Sequence, residues 1–256
     1  MTTVEPRIAQ RRRNISEDRA RKRLRWILLI IAIVSLIVVA VWLVRSPFLS
    51  ISTIEITNAQ QSDPGSTLTR LGIEVGTPTI DVDAAAIRSA IEEDPWVASA
   101  LVSVQWPGSI LIEIEEHVAS SPARSGSGWV MLSEDSTVLT FVDQPSTGTL
   151  TIDIDLGVVV PGDVIDDPLI VGALAFGAAL RDDLRENTVI YAEDNGLFAT
   201  VAARTVRLGR PVDMGAKATV LAALLDQGLD PEAAIDVIAP SRPAVLNPQP
   251  QVEPEE

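Results

Sequence analysis

Residues 94–116 read DPWVASALVSVQWPGSILIEIEE. Within this stretch Val102, Val104 and Trp106 alternate with Ser103 and Gln105. After Pro107-Gly108-Ser109, Ile110, Ile112 and Ile114 alternate with Glu113 and Glu115. A period of two places each apolar set on one face, and the Pro-Gly-Ser segment supplies turn residues. The pattern predicts a half-buried hairpin with an acidic outer face. On this reading Trp106 packs into the core with Val102 and Val104 rather than serving as a sugar platform. Trp96, next to Pro95, plugs the end of a preceding helix, and Trp129 packs at a domain junction.

Working upstream, ISTIEIT (51–57) alternates and predicts a strand with Ile54 and Ile56 on one face. Asp63 is a suitable N-cap, Pro64 suits the first helical position and Gly72 the position past the end. After Gly76-Thr77-Pro78, Asp83 caps a second helix with Ala86, Ile87, Ala90 and Ile91 on one side. The order strand, helix, helix, strand, strand makes a small α+β domain.

Further upstream, WILLIIAIVSLIVVAVWLV (26–44) carries no charge. Nineteen helical residues span about 28 Å, close to the ~30 Å of a bilayer core. Trp26 and Trp42 stand near its ends, where headgroup-level rings are favoured. Residues 1–25 carry a net +6 and residues 46–256 a net −22, within an overall −15. That asymmetry predicts a cytoplasmic N-terminus and an exported acidic remainder. The apolar run is too long for a signal peptide, and no small-x-small cleavage pattern follows it. The basic head is read as a topology signal that contacts lipid rather than nucleic acid.

Downstream, SSPARSGSG (120–128) reads as a soft boundary. WVMLSEDSTVLTFV (129–142) predicts two short strands, and LTIDIDL (150–156) another. Asp166-Asp167-Pro168 starts a helix with Leu169, Ala173, Phe176, Leu180 and Leu184 on one face. Asn195-Gly196 between apolar runs predicts a hairpin, and TVRLG (205–209) a strand. Asp213 caps a helix carrying Met214, Ala218, Leu221 and Leu225, stopped by Gly228. Segments 234–238 and 243–246 close the fold as strands. NPQPQVEPEE (247–256) is Pro-rich and acidic and reads as disordered.

The chemistry-bearing residues are sparse. The chain has no cysteine and one histidine, His117, read as a solvated strand-end residue. A Ser-His-Asp triad would have to use it, and no G-x-S-x-G, His-x-x-x-His or calcium-loop pattern is present. Carboxylate pairs recur (Asp153 and Asp155, Asp166-Asp167, Asp182-Asp183). A glycosidase cleft would usually add aromatic platforms, and only 4% of residues are aromatic. The residues thus predict no catalytic group, no metal, no cofactor and no small-molecule substrate.

The strand-helix-helix-strand-strand order resembles a POTRA module, and the details resemble the FtsQ/DivIB family of bacterial cell-division proteins. The resemblance rests on the short basic head and single anchor, Ile51 to Asn58, Gly76-Thr77-Pro78 with Asp81-Val82-Asp83, Asp94 to Ala100, Val102 to Pro107, and Ile110 to Glu116. Val206-Arg207-Leu208-Gly209, Lys217 and Ile235-Asp236-Val237 extend it to the family's C-terminal β domain. Where the family has Glu-Arg-x-Pro, this chain has Glu116-His117-Val118-Ala119. The resemblance implies an α+β fold: a basic tail (1–25), a transmembrane helix (26–44), a POTRA-like β-α-α-β-β domain (49–119), a sheet-rich C-terminal β domain (120–247) and an acidic tail (248–256).

The same resemblance implies a non-enzymatic bitopic scaffold at the division septum. It would bind FtsL and FtsB (DivIC) type partners by β-strand addition and link them to the septal peptidoglycan synthase complex. The segment that would accept the strand is 241–246, preceded by 235–238. Val245 and Leu246 would face the partner, Arg242 would supply charge, and Ile235, Val237 and Ala244 would complete the site. Pro243 lacks an N–H and would make the pairing one-sided. Proline at Ala244 is expected to weaken partner binding and spare the fold. Two alternatives remain: a membrane-anchored extracytoplasmic enzyme or glycan-binding protein, and a POTRA-type transport component.

Overall fold

The structure, a computed structural model, describes residues 24–42, 47–146, 148–230 and 232–246. The expectations for most of the basic head (1–23), for Leu43 and Val44 of the anchor and for residues 247–256 lie outside the described residues. The first element is an apolar helix, α1, Leu24–Trp42, whose side chains are all exposed. Its length and composition suit a membrane span, as the charge-free run requires.

The expected small domain follows in the expected order. Strand β1 is Thr53–Thr57, helix α2 Pro64–Arg70, helix α3 Ala84–Ile91, strand β2 Val97–Gln105 and strand β3 Ser109–Glu116. They form a three-stranded sheet in the order β1-β3-β2. Asp63 accepts from Ser66 N at 3.1 Å, and Asp83 from Ala85 N and Ala86 N at 2.9 and 3.2 Å. Both helices therefore start where short acceptor side chains meet otherwise unpaired backbone N–H groups.

By packing, the chain divides into two compact units. One takes the chain up to Glu55 with Leu68–Ile87 and Val102–Ile112. The other takes Ile56–Thr67, Arg88–Leu101 and everything from Glu113 on. In the first, Ile51, Leu68, Ile87, Ile110 and Ile112 are buried. Gly108 sits so close to the chain at Ser50 that a Cβ there would lie 2.2 Å from the Ser50 carbonyl oxygen. No larger residue fits without moving backbone. Trp106 corrects the sequence reading. It lies just past β2 and is 57% exposed, because the strand ends at Gln105 and the chain turns before the ring can enter the core.

In the second unit, Glu116 Oε1 accepts from Gln60 N, Gln61 N, Ser62 N and Ser62 Oγ at 2.6–2.9 Å. Partial desolvation opposes ionisation of Glu116, but these donors outweigh it and hold the carboxyl below its ordinary range.

The rest of the second unit is a nine-stranded sheet. Its strands are β4 Ala119–Ser125, β5 Gly128–Ser133, β6 Val138–Val142, β7 Thr151–Asp155, β8 Val189–Glu193, β9 Gly196–Val201, β10 Arg204–Gly209, β11 Ala234–Asp236 and β12 Ala244–Leu246. Their spatial order is β12-β11-β10-β9-β8-β7-β4-β5-β6. Helix α4 is Pro168–Ala179, α5 Asp182–Arg185 and α6 Met214–Leu225. β7 runs parallel to β8, and β10 parallel to β11. Parallel neighbours need a crossover: α4 joins β7 to β8 and α6 joins β10 to β11, while β4 and β7, also parallel, are joined through β5 and β6. The core lies between these helices and one sheet face, and includes Ile152, Phe176, Ile190, Ala199, Val206, Leu221 and Ile235.

Three local expectations are corrected. SSPARS, read as part of a soft boundary rich in turn residues, lies within strand β4, hydrogen-bonded between β5 and β7, with Ala123 fully buried. Its small side chains suit an interior strand against which α4 packs. The β8–β9 turn is Asp194-Asn195, one residue earlier than expected. Both residues have positive φ (49° and 60°), while Gly196 already pairs with Glu193. Asp213 stands before α6 with φ 55° and makes no side-chain cap bond. Asp167 does cap α4, accepting from Leu169 N at 2.8 Å.

Candidate partner-binding edge

The sheet ends at β12, and the pairing rungs decide what that edge presents. Ala234 stands opposite Leu246, Ile235 opposite Val245 and Asp236 opposite Ala244. On the other side of β11, Val237 N donates to Arg207 O at 3.0 Å. Backbone direction alternates along a strand, so Ile235 and Val237 turn toward β10 and Asp236 toward β12. Ala244 is therefore spent on Asp236, and Val245 turns its N–H and C=O away from the sheet. Pro243, directly before the strand, leaves only its carbonyl for that side.

Side chains alternate in the opposite sense. Ile190, Ala199, Val206, Ile235 and Val245 form one cross-strand row on the core face. Ile235 and Val237 are 1% and 0% exposed, so neither side chain is available to a partner. Val245 is half-buried at the end of that row. Ala244 and Leu246 lie on the other face and are exposed, Leu246 at 64%. Arg242 is exposed in a turn closed by its own N–H to Ala239 O at 2.9 Å.

The outer face carries a second row that sequence reasoning missed. Tyr191, Phe198, Arg207, Asp236 and Ala244 are successive cross-strand partners from β8 to β12. The Tyr191 and Phe198 rings stack with centroids 5.7 Å apart. The Arg207 guanidinium lies over Phe198 at 6.0 Å and faces Asp236 at 3.7 Å. Alternation within five separate strands was the signal, but it becomes a row only once the strand order is known.

A cavity of about 410 Å³ opens at the end of these strands, lined among others by Arg207, Arg210, Asp213, Lys217 and Ile238. Gly209, at a register irregularity of β10, has φ 69°, and a Cβ there would lie 2.7 Å from Ile238 Cγ1. Lys217 is buried on α6. Its ammonium donates to Leu208 O at 2.8 Å and Arg210 O at 2.7 Å. Burial pushes its pKa down, against the pull of Asp213 and Asp236. This lysine ties the crossover helix to the chain leaving β10 and so fixes where β11 and β12 return. Five of the ten basic residues after position 46 fall between 204 and 242, around an otherwise acidic chain.

His117 is not the solvated residue expected. Its side chain is only 13% exposed, and Nδ1 lies 3.1 Å from Asp135 Oδ1. Asp135 is held below its ordinary range: partial burial opposes this, and the Ser133 hydroxyl and His117 outweigh it. The eighteen-residue separation of His117 and Asp135 left no signal in the sequence.

Comparison with known proteins agrees with the fold. Residues 49–117 match the domain family described as POTRA domain, FtsQ-type. The chain is 31% identical over 124 residues to the cell division protein FtsQ of Corynebacterium glutamicum, covering 48% of this chain and 54% of that protein. It is 36% identical over 69 residues to the cell division protein FtsQ of Rhodothermus marinus, covering 27% and 25%. The aligned region thus spans about half of one relative and a quarter of the other. Both findings support the FtsQ/DivIB family, and with α1 they fit a single-pass membrane protein of cell division.

Proposed function

We propose, for a chain that carries an FtsQ-type POTRA domain and is similar to FtsQ cell division proteins, that it is a non-enzymatic scaffold of the bacterial divisome. In this reading α1 anchors it in the cell membrane at the septum. The basic head stays cytoplasmic, and the chain beyond the span is extracytoplasmic. Its work is to bind bitopic partners of the FtsL and FtsB (DivIC) type and connect them to the septal peptidoglycan synthase complex.

One observation carries the reading: β12 ends the sheet with the Val245 backbone turned outward. A partner strand added there gains main-chain hydrogen bonds, and the flanking side chains supply selectivity. Leu246 offers apolar surface, and Arg207, Arg210 and Arg242 favour a partner strand rich in Asp or Glu. Pro243 confines the pairing to a short register. The test is co-purification of the full-length chain with FtsL and FtsB type partners from membranes. Val245→Pro, which removes the outward N–H, should lose the partners; retention at the level of the unmodified chain would count against strand addition.

A further inference from the structure

Three separate segments converge at one end of the first unit. Ser50 bridges Pro78, Ile51 N donates to Thr77 O at 2.8 Å, and Gly76 N donates to Ile51 O at 2.8 Å. Ser52 N donates to Gly108 O at 2.7 Å, and Thr79 Oγ1 to Pro107 O at 3.0 Å. Around this junction four large apolar side chains are exposed: Phe48 at 86%, Val75 at 67%, Trp106 at 57% and Ile80 at 54%. Each lies within two or so residues of one of those contacts. The charged residues beside them are Glu74 and Asp81, and no lysine or arginine stands next to them in sequence.

The same unit contains α1. Only residues 43–46 separate Trp42 from Pro47, so the chain between them reaches at most about 18 Å. The headgroup layer on each side of the hydrocarbon core is about 5–7 Å deep. The cluster is thus tethered within reach of that layer. Tryptophan and phenylalanine favour it because an apolar ring can sit among acyl chains while polar groups stay wet.

We propose that this end of the unit rests in the membrane interface, with Phe48, Val75, Ile80 and Trp106 immersed among the lipid headgroups. The contact is apolar rather than ionic, since the flanking charges are acidic. It makes the first unit a second, peripheral attachment to the bilayer beside α1. The inference rests on α1 spanning the membrane.

The chain has no cysteine, so single-cysteine labels are unambiguous. The full-length Val75→Cys variant, labelled with an environment-sensitive fluorophore, is reconstituted into phosphatidylcholine vesicles containing headgroup spin-labelled lipid. The label should be quenched, and equally so with added phosphatidylglycerol or at high salt. Combining Phe48→Ser, Ile80→Ser and Trp106→Ser should abolish the quenching and leave the thermal midpoint unchanged, since all three side chains are exposed. A label at Val34→Cys should be quenched by acyl-chain spin label in both backgrounds. Unquenched Val75→Cys with quenched Val34→Cys would overturn the proposal and leave the span intact. So would shielding that appears only when partner proteins are added, which would make the cluster a protein contact. Unquenched Val34→Cys would remove the span and the proposal together.

Discussion

Val245 stands directly opposite Ile235 in the β11–β12 pair that ends the nine-stranded sheet, its side chain on the core face and its backbone turned outward. Its neighbour Ala244 is the reverse: side chain outward, backbone toward Asp236. This alternation separates two substitutions that look equivalent in the sequence. Val245→Pro should weaken partner binding and leave the thermal midpoint of the detergent-solubilised chain near that of the unmodified protein. Ala244→Pro should break a rung within the sheet, costing about 1 kcal/mol and loosening β12. The structure therefore moves the proline test from position 244 to 245.

Gly108 meets the Ser50 carbonyl so closely that even alanine is excluded. Gly108→Ala should destabilise the first unit by roughly 1–3 kcal/mol, as overpacking does where the obstacle is backbone. Chemical denaturation read by far-ultraviolet dichroism would check this. A change within experimental scatter would mean that the three converging segments yield easily.

Lys217 spends two donors on the carbonyls of Leu208 and Arg210 at the exit of β10. Lys217→Met keeps the apolar stem and leaves those carbonyls without the ammonium. A loss of about 1–3 kcal/mol is expected, with faster amide exchange in β11 and β12. Because burial lowers the folded-state pKa, the unfolded chain holds this proton more tightly. The contribution of Lys217 to stability therefore rises with pH between the lowered folded value and the unfolded value near 10.5. In the Lys217→Met variant that rise should vanish.

Glu116 gathers the backbone N–H groups of residues 60–62. Its folded pKa is depressed, so its stabilisation is present above the unfolded value of about 4.5 and is lost as pH falls below it toward the folded value. Glu116→Gln should flatten the acid limb of the stability profile around pH 4.5, measured as thermal midpoint against pH. An unchanged limb would assign that pH dependence to other carboxylates.

Much of this was legible in the sequence. Asp63, Asp83 and Asp167 mark helix starts because a short acceptor before an apolar repeat has one favourable use. The anchor and the POTRA-like order follow from period and length alone. What failed depended on neighbours distant in the chain. SSPARS reads as turn-rich boundary chain until β5 and β7 flank it. Trp106 alternates correctly, but the strand ends one residue before it. His117 finds its partner eighteen residues away. The candidate edge lay in between: β12 could be placed from the order of elements, but which of its residues turns outward depends on the Val237–Arg207 hydrogen bond, and no local pattern encodes that.

Backbone amide hydrogen exchange reads strand addition at β12 residue by residue. On adding an FtsB-type partner to the full-length chain, the Val245 amide should become strongly protected, while amides of β6 at the opposite edge of the sheet exchange as before. Unchanged exchange at Val245 in a formed complex, or protection confined to β6, would contradict strand addition at β12.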